Sequence, residues 1–85
     1  MQDSKRKMNI FFTYRGHTYN FICDYGTKIK EVLDKFSNRV GKPKNKFRFL
    51  FNTKILDYNG ESKIENFLSD CNINYIIITV SELGF

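Results

Sequence analysis

Residues 27–39 limit the possible folds of this chain more than any other segment, because they have the pattern of one amphipathic helix. The apolar positions, spaced three and four apart along one helix face, are Ile29, Val32, Leu33, Phe36 and Val40. Thr27 is placed to cap the first turn, while Gly41 and Pro43 end the helix. A single helix cannot bury its apolar face alone, so the remaining segments must supply a sheet for it to pack on.

Two strand-like segments precede the helix. Residues 8–13 and 17–23 both alternate between the two sides of the chain, which is the two-residue period of a β-strand. Arg15 and Gly16, between them, have the sequence of a tight turn. The pattern predicts a β-hairpin with one apolar face, which would pack against the helix.

The segments after the helix predict two strands, a short helix and a final strand. Residues 47–51 alternate around three Phe, and residues 54–56 follow a turn as a short strand. Residues 62–70 have the pattern of a short helical turn. Residues 75–80 are dominated by β-branched side chains, as expected for a central strand with little solvent on either side.

Composition indicates one small intracellular domain. The chain has 85 residues and is 41% hydrophobic, which suits a single core. It contains no apolar run of about 18 residues, so a membrane span is not expected. The two cysteines, Cys23 and Cys71, lack the spacing of metal ligands, which favours a reduced cytoplasmic or nuclear location. We expect a monomer with a disordered basic tail at 1–7, a domain at 8–80 and a C-terminal tail at 81–85.

Several short motifs occur in an order that is typical of one family. They are Met-Asn-Ile-Phe-Phe at 8–12, Ile-Lys-Glu-Val at 29–32 followed by Phe36, Gly-Lys-Pro at 41–43, Arg-Phe-Leu-Phe at 48–51 followed by Lys54, and Ile64, Ser69-Asp70 and Ile73. Together with the element order, these motifs resemble the ubiquitin-like β-grasp family over residues 8–80. The resemblance implies an α+β fold with a mixed four- to five-stranded sheet, a main helix at about 27–39 packed across it and a short second helix.

The resemblance also implies a protein-binding patch on the exposed face of the sheet. The corresponding positions are Leu50, Ile77 and Thr79, with Tyr14 near the hairpin tip and a basic rim of Arg48 and Lys54. Alternation agrees, because Leu50 and Ile77 have the opposite parity to the apolar residues beside them. An exposed cluster of apolar side chains is typical of an interaction site. Phe11 has the same outward parity, at the place where the family has a second, smaller aromatic patch.

The C-terminal residues differ from those of the family's conjugated members. Those proteins end in Gly-Gly, because a tail without side chains can thread the narrow active site of an activating enzyme. This chain ends in Leu83, Gly84 and Phe85, and it carries Glu82 where the family's tail is basic. Gly84 and Phe85 are therefore the candidate conjugation or processing end.

The sequence offers no convergent set of catalytic groups. Its single histidine, His17, lies beside a turn, and Cys23 is predicted to face the core. Cys71 has no histidine or acid placed to activate it. The five glycines are isolated, so no phosphate-binding loop is indicated. We therefore expect no enzyme activity, no catalytic residue, no metal and no cofactor.

These observations favour a non-catalytic domain that binds other proteins, with ubiquitin receptors or ubiquitin-pathway proteins as candidate partners. The alternative is a ubiquitin-like modifier, conjugated to proteins or released from a polyprotein by intein-like self-processing neighbours. A Ras-binding-like module would instead use basic strand residues to grip acidic partners. A nucleic-acid-binding module, with Phe11 and Tyr14 for stacking, fits less well because acids are interspersed among the basic residues. The basic residues in question are Lys42, Lys44, Lys46, Arg48 and Lys54.

Overall fold

One mixed sheet with one helix laid across it dominates the fold. The computed structural model describes residues 7–64 and 75–83. The regular elements are, in chain order, β1 (Lys7–Tyr14), β2 (His17–Asp24), α1 (Ile29–Val40), β3 (Phe47–Phe51), β4 (Lys54–Ile55) and β5 (Tyr75–Glu82). A 3-10 turn at Lys44–Lys46, which the sequence pattern did not predict, leads from α1 into β3.

The five strands are arranged in the order β2-β1-β5-β3-β4. Strand β5 therefore lies in the middle of the sheet, as its β-branched sequence predicts. It runs parallel to β1 and antiparallel to β3, while the β1–β2 and β3–β4 pairs are antiparallel hairpins. The predicted α+β fold is confirmed, and its mixed sheet has five strands, within the predicted four to five.

Helix α1 begins at Ile29 and its N-cap is Lys28, so the prediction that Thr27 caps the helix is wrong. The first two helical N–H groups instead donate to the carbonyl oxygens of Ser62 and Gly60, at 2.8 and 3.2 Å. Because a loop distant in sequence supplies these acceptors, a side-chain cap is not required. At its other end α1 stops at Gly41, whose φ of +77° is left-handed, as predicted.

The apolar faces of the strands and of α1 meet in one core with Phe36 at its centre. The Phe36 side chain is fully buried, and its ring stacks on Phe12 with 4.7 Å between the centroids. Four more aromatic rings contact it edge-on, namely Tyr14, Tyr19, Phe47 and Phe49. Ile64, from the predicted short helix, is also fully buried. Residues 65–70 of that predicted helix, which spans 62–70, lie outside the described residues.

Two hairpin turns have two residues each: Arg15-Gly16 joins β1 to β2, and Asn52-Thr53 joins β3 to β4. All four residues have positive φ, which is the type I′ geometry that matches the twist of antiparallel strands. Glycine adopts this conformation readily. Thr53, at φ +67°, is strained there because its branched Cβ crowds the backbone.

Replacing Thr53 with Gly is expected to raise the free energy of unfolding by about 1 kcal/mol, since it removes the steric cost of a left-handed β-branched residue. A urea titration followed by circular dichroism measures the change. Thr18→Gly is the matched control, because Thr18 lies within β2. The same substitution there should instead destabilise by about 0.5–1 kcal/mol. A Thr53→Gly variant that is no more stable than the wild type would contradict strain at this turn.

Candidate protein-interaction face

The two faces of the sheet have different surroundings. One packs on α1, and we call the opposite one the open face. Along β5, exposed and buried residues alternate from Tyr75 to Val80. The expectation that this strand has little solvent on either side is therefore wrong, and Ile77 is 49% exposed. Neighbouring strands cover both edges of β5, but α1 covers only one of its faces.

A band of apolar side chains crosses the open face. At its centre, Phe11 of β1 and Ile77 of β5 are register partners. Phe11 also packs edge-on against Tyr75, with 6.1 Å between the ring centroids. Leu50 of β3, the register partner of Thr79, continues the band toward β4. The members of this apolar band are Phe11, Ile22, Leu50, Ile55, Tyr75 and Ile77.

Four members of the apolar band are strongly exposed. Ile22 and Ile55, in the two edge strands, are 61% and 65% exposed, and Tyr75 is 51% exposed. Ile55 is the register partner of Leu50, so these two side chains lie next to each other on the open face. Covering apolar surface contributes about 25 cal/mol per Å². The open face therefore carries apolar surface that the described part of the domain leaves uncovered.

The residues predicted for the main patch lie on adjacent strands: Leu50 is on β3, and Ile77 and Thr79 are on β5. Phe11, predicted for a separate patch, lies beside them because β1 pairs directly with β5. Sequence reasoning missed the other members of the apolar band, Ile22, Ile55 and Tyr75. Alternation along β2 and β5 could have identified Ile22 and Tyr75. The face on which Ile55 lies depends instead on how β4 pairs with β3.

Tyr14 does not belong to the open face, which corrects its assignment to the patch. It is only 7% exposed, and its ring lies 5.5 Å from that of Phe36 and 5.4 Å from that of Phe47, between centroids. The family position near the hairpin tip was misleading here. Tyr14 has the same parity as the buried Phe12, so alternation along β1 was the signal that places it in the core.

Of the two residues predicted to form a basic rim, only Arg48 has the parity of the open face, where it pairs with Ser81 of β5. Lys54 pairs with Phe51, which has the parity of the core residues of β3. Lys54 therefore belongs to the helix side of the sheet edge. The two-residue turn sets this register, and a shift of one residue would reverse the faces.

A polar cluster ties the end of β5 to two other parts of the chain. The Glu82 carboxylate accepts hydrogen bonds from the Tyr14 hydroxyl, from the Arg15 guanidinium at 2.7 Å and from the Lys42 ammonium at 2.7 Å. These donors, Lys42 first, lower the pKa of Glu82 to about 2. We call these four residues the Glu82 clamp. Residues 81 and 82, predicted as part of a tail, continue β5.

Acid should weaken the Glu82 clamp in a defined pH window. Because folding lowers the pKa of Glu82 from 4.5 to about 2, its stabilising effect is complete above pH 4.5 and is lost as the pH falls toward 2. Glu61, bound by Lys28 and Lys30, also has a pKa of about 2 and titrates in the same window. We therefore expect Glu82→Gln to lose less stability than the wild type between pH 4.5 and 2, measured by denaturant titration at each pH. An equal loss in the two proteins would contradict the role given to Glu82.

The described residues carry little reactive chemistry. Cys23 is buried, and burial raises the pKa of its thiol, away from the reactive thiolate. His17 is exposed beside the first hairpin turn. Within residues 7–64 and 75–83, no group of three or more His, Cys, Asp or Glu could hold a metal ion, and no helix is long and apolar enough to cross a membrane. Cys71 and the candidate processing end, Gly84 and Phe85, lie outside the described residues.

No family model and no curated protein sequence matches this chain, but solved structures match its fold. The solution NMR structure of the ubiquitin-like domain of Arabidopsis thaliana protein At2g32350 gives a TM-score of 0.76 at 11% identity, covering 94% of this chain and 81% of that one. A structure of the same protein from evolutionary couplings and sparse NMR data gives 0.75 at 11% identity, over 94% and 90% of the two chains. A designed protein based on ubiquitin gives 0.70 at 15% identity, over 93% and 92%.

These similarities establish the class of fold: the chain has a ubiquitin-like β-grasp fold. The element order, the central β5 and the position of α1 across the sheet all agree with it. At identities of 11–15%, the comparisons define the fold and carry no information on partners or activity.

Proposed function

We propose that this chain is a non-catalytic ubiquitin-like domain that binds other proteins through its open face. The apolar band carries the proposal, because its members are neighbours on one face and four of them are about half exposed or more. Single exposed apolar residues are ordinary on protein surfaces, whereas a contiguous group is typical of an interaction site. A sheet also holds the side chains in place, which reduces the entropy lost on binding.

Charge on the open face favours a partner that presents apolar side chains beside an acid. Arg48 is exposed and makes no salt bridge within the described residues. At the other end of the face, Lys7 and Asp24 form an ion pair at 2.7 Å and neutralise each other. An apolar surface beside an exposed guanidinium complements apolar groups next to a carboxylate. Ubiquitin receptors and other ubiquitin-pathway proteins are among the partners proposed.

The surroundings of the basic residues weigh against nucleic acid as the ligand. Lys42 is bound to Glu82, and Lys44 pairs with Asp34 at 2.9 Å. Tyr14, one of the two aromatic residues considered for base stacking, is buried. Two of the five candidate cations are therefore already paired with acids and one of the two candidate rings is buried, which weakens a surface meant to follow a phosphate backbone and stack on its bases.

Photocrosslinking tests whether the open face is the contact surface. A photoreactive phenylalanine analogue that replaces Phe11 or Ile77 should join the domain to a partner protein when cells are irradiated. The same analogue in place of Glu31, which is exposed on α1, is the control and should give no such adduct. Adducts from position 31 without adducts from positions 11 and 77 would overturn the proposal.

The alternative function is a ubiquitin-like modifier, and peptide mapping separates it from an interaction domain. Protein recovered from its own cells should yield no peptide in which Gly84 or Phe85 is joined to a lysine of another protein. Such an isopeptide bond would establish the modifier and overturn the leading proposal. Binding through the open face and conjugation through the end of the chain are thus tested by separate readouts.

A further inference from the structure

The last described residues are held along β3. Within β5, Glu82 is the register partner of Phe47. One residue further on, the Leu83 N–H donates to the Lys46 carbonyl at 3.0 Å. Backbone pairing therefore continues past the end of β5 and attaches the chain to the start of β3 as far as Leu83.

Leu83 also lines a cleft beside this pairing. The cleft has a volume of about 330 Å³, and its walls include Lys42, Pro43 and Lys46. The proline ring and the aliphatic stems of the lysines offer apolar contact. Leu83 is only partly exposed, so its side chain as well as its backbone is engaged by the domain.

The Glu82 clamp fixes the same segment through a side chain. Its donors come from the β1–β2 hairpin, through Tyr14 and Arg15, and from the connection after α1, through Lys42. A single exposed ion pair contributes little to stability. Here, several donors from two separate parts of the chain meet on one carboxylate, and Tyr14 is itself anchored in the core.

We infer that the Glu82 clamp is a latch that keeps Glu82 and Leu83 attached to the domain and closes the chain at these two residues to enzymes that cut or transfer it. Such enzymes bind the chain around the reacting bond in an extended form without other strand partners. The backbone of residues 82 and 83 cannot enter such an active site while the Leu83 N–H is hydrogen-bonded to the Lys46 carbonyl. Opening requires a local separation of the end of β5 from β3. The latch does not depend on the open face being a binding site.

Amide hydrogen exchange of the 85-residue chain tests the latch at single-residue resolution. Glu82→Gln keeps the size of the side chain and removes its charge, so the Leu83 amide should exchange at least tenfold faster than in the wild type. Glu61→Gln is the matched control, because Glu61 is bound by two lysines far from the end of β5. It should leave the Leu83 amide unchanged. The Ile78 amide, in the central strand, reports global opening, so in either variant its exchange should accelerate much less than that of the Leu83 amide does in Glu82→Gln.

A second variant removes hydrogen-bond donors to Glu82 and leaves Glu82 itself unchanged. Arg15→Gln combined with Lys42→Gln leaves Glu82 in place and removes two of its partners, so it should accelerate exchange at Leu83 as Glu82→Gln does. Carboxypeptidase digestion followed by intact mass should remove Leu83 and Glu82 from both variants faster than from the wild type. Unchanged exchange and trimming in both variants would overturn the latch. So would an equal acceleration at Leu83 and Ile78, which would indicate global destabilisation.

Discussion

Phe36→Ala is expected to destabilise the domain by about 3–5 kcal/mol. Phe36 is fully buried, and its ring contacts those of five other aromatic residues on the strands. Truncation removes its apolar burial and leaves a cavity between α1 and the sheet. Small domains have a total stability of only about 5–15 kcal/mol, so a large part of it would be lost. Urea titration followed by circular dichroism measures the difference.

Ile55→Ala is the control for this prediction, because Ile55 is apolar but 65% exposed on the open face. Its free energy of unfolding should change by no more than about 0.5 kcal/mol. If Ile55→Ala and Phe36→Ala were equally destabilising, the assignment of one face to the core and the other to solvent would be wrong.

The second large effect concerns binding. Phe11→Thr combined with Ile77→Thr should lower the amount of partner recovered with the domain by more than about tenfold, which corresponds to about 1.4 kcal/mol. The two side chains are register partners at the centre of the apolar band, where binding energy usually concentrates. Threonine keeps the β-propensity of both positions, so the strands should stay intact. Quantitative mass spectrometry of affinity-purified domain from its own cells measures the recovery.

Asn38→Ala, on the exposed side of α1, is the matched control for binding and should leave partner recovery unchanged. A thermal melt of each variant separates a loss of binding from a loss of folding. Undiminished recovery with a folded Phe11→Thr, Ile77→Thr variant would exclude the centre of the apolar band as the contact.

The periodicity of apolar residues predicted most of the fold, because buried positions recur at every second residue of a strand and at every third to fourth residue of a helix. The face of α1 that contains Phe36 followed from spacing alone, and so did the outward positions of Phe11 and Ile77. The same rule applied to Tyr14 places it in the core. The resemblance to the family wrongly placed Tyr14 in the exposed patch, because a matching position in the fold does not determine which way the side chain of this chain points.

Features that depend on contacts distant in sequence could not be predicted. Glu82 and Arg15 are 67 residues apart, so no local pattern connects them. Likewise, the carbonyl oxygens of Ser62 and Gly60 that accept from the start of α1 are brought there by the fold. Lys54 was misplaced because its face depends on the register of a two-residue turn, which composition does not determine.

The measurement that tests the central claim most directly is a methyl NMR titration of the domain with the partner identified by crosslinking. Isoleucine methyl groups sample both sides of the sheet, with Ile22, Ile55 and Ile77 on the open face. Ile29 and Ile78 report the core and are buried. We expect the largest shifts at the first three residues and little change at the other two. If the partner leaves the methyl resonances of Ile77 and Ile55 unshifted, binding through the open face is contradicted.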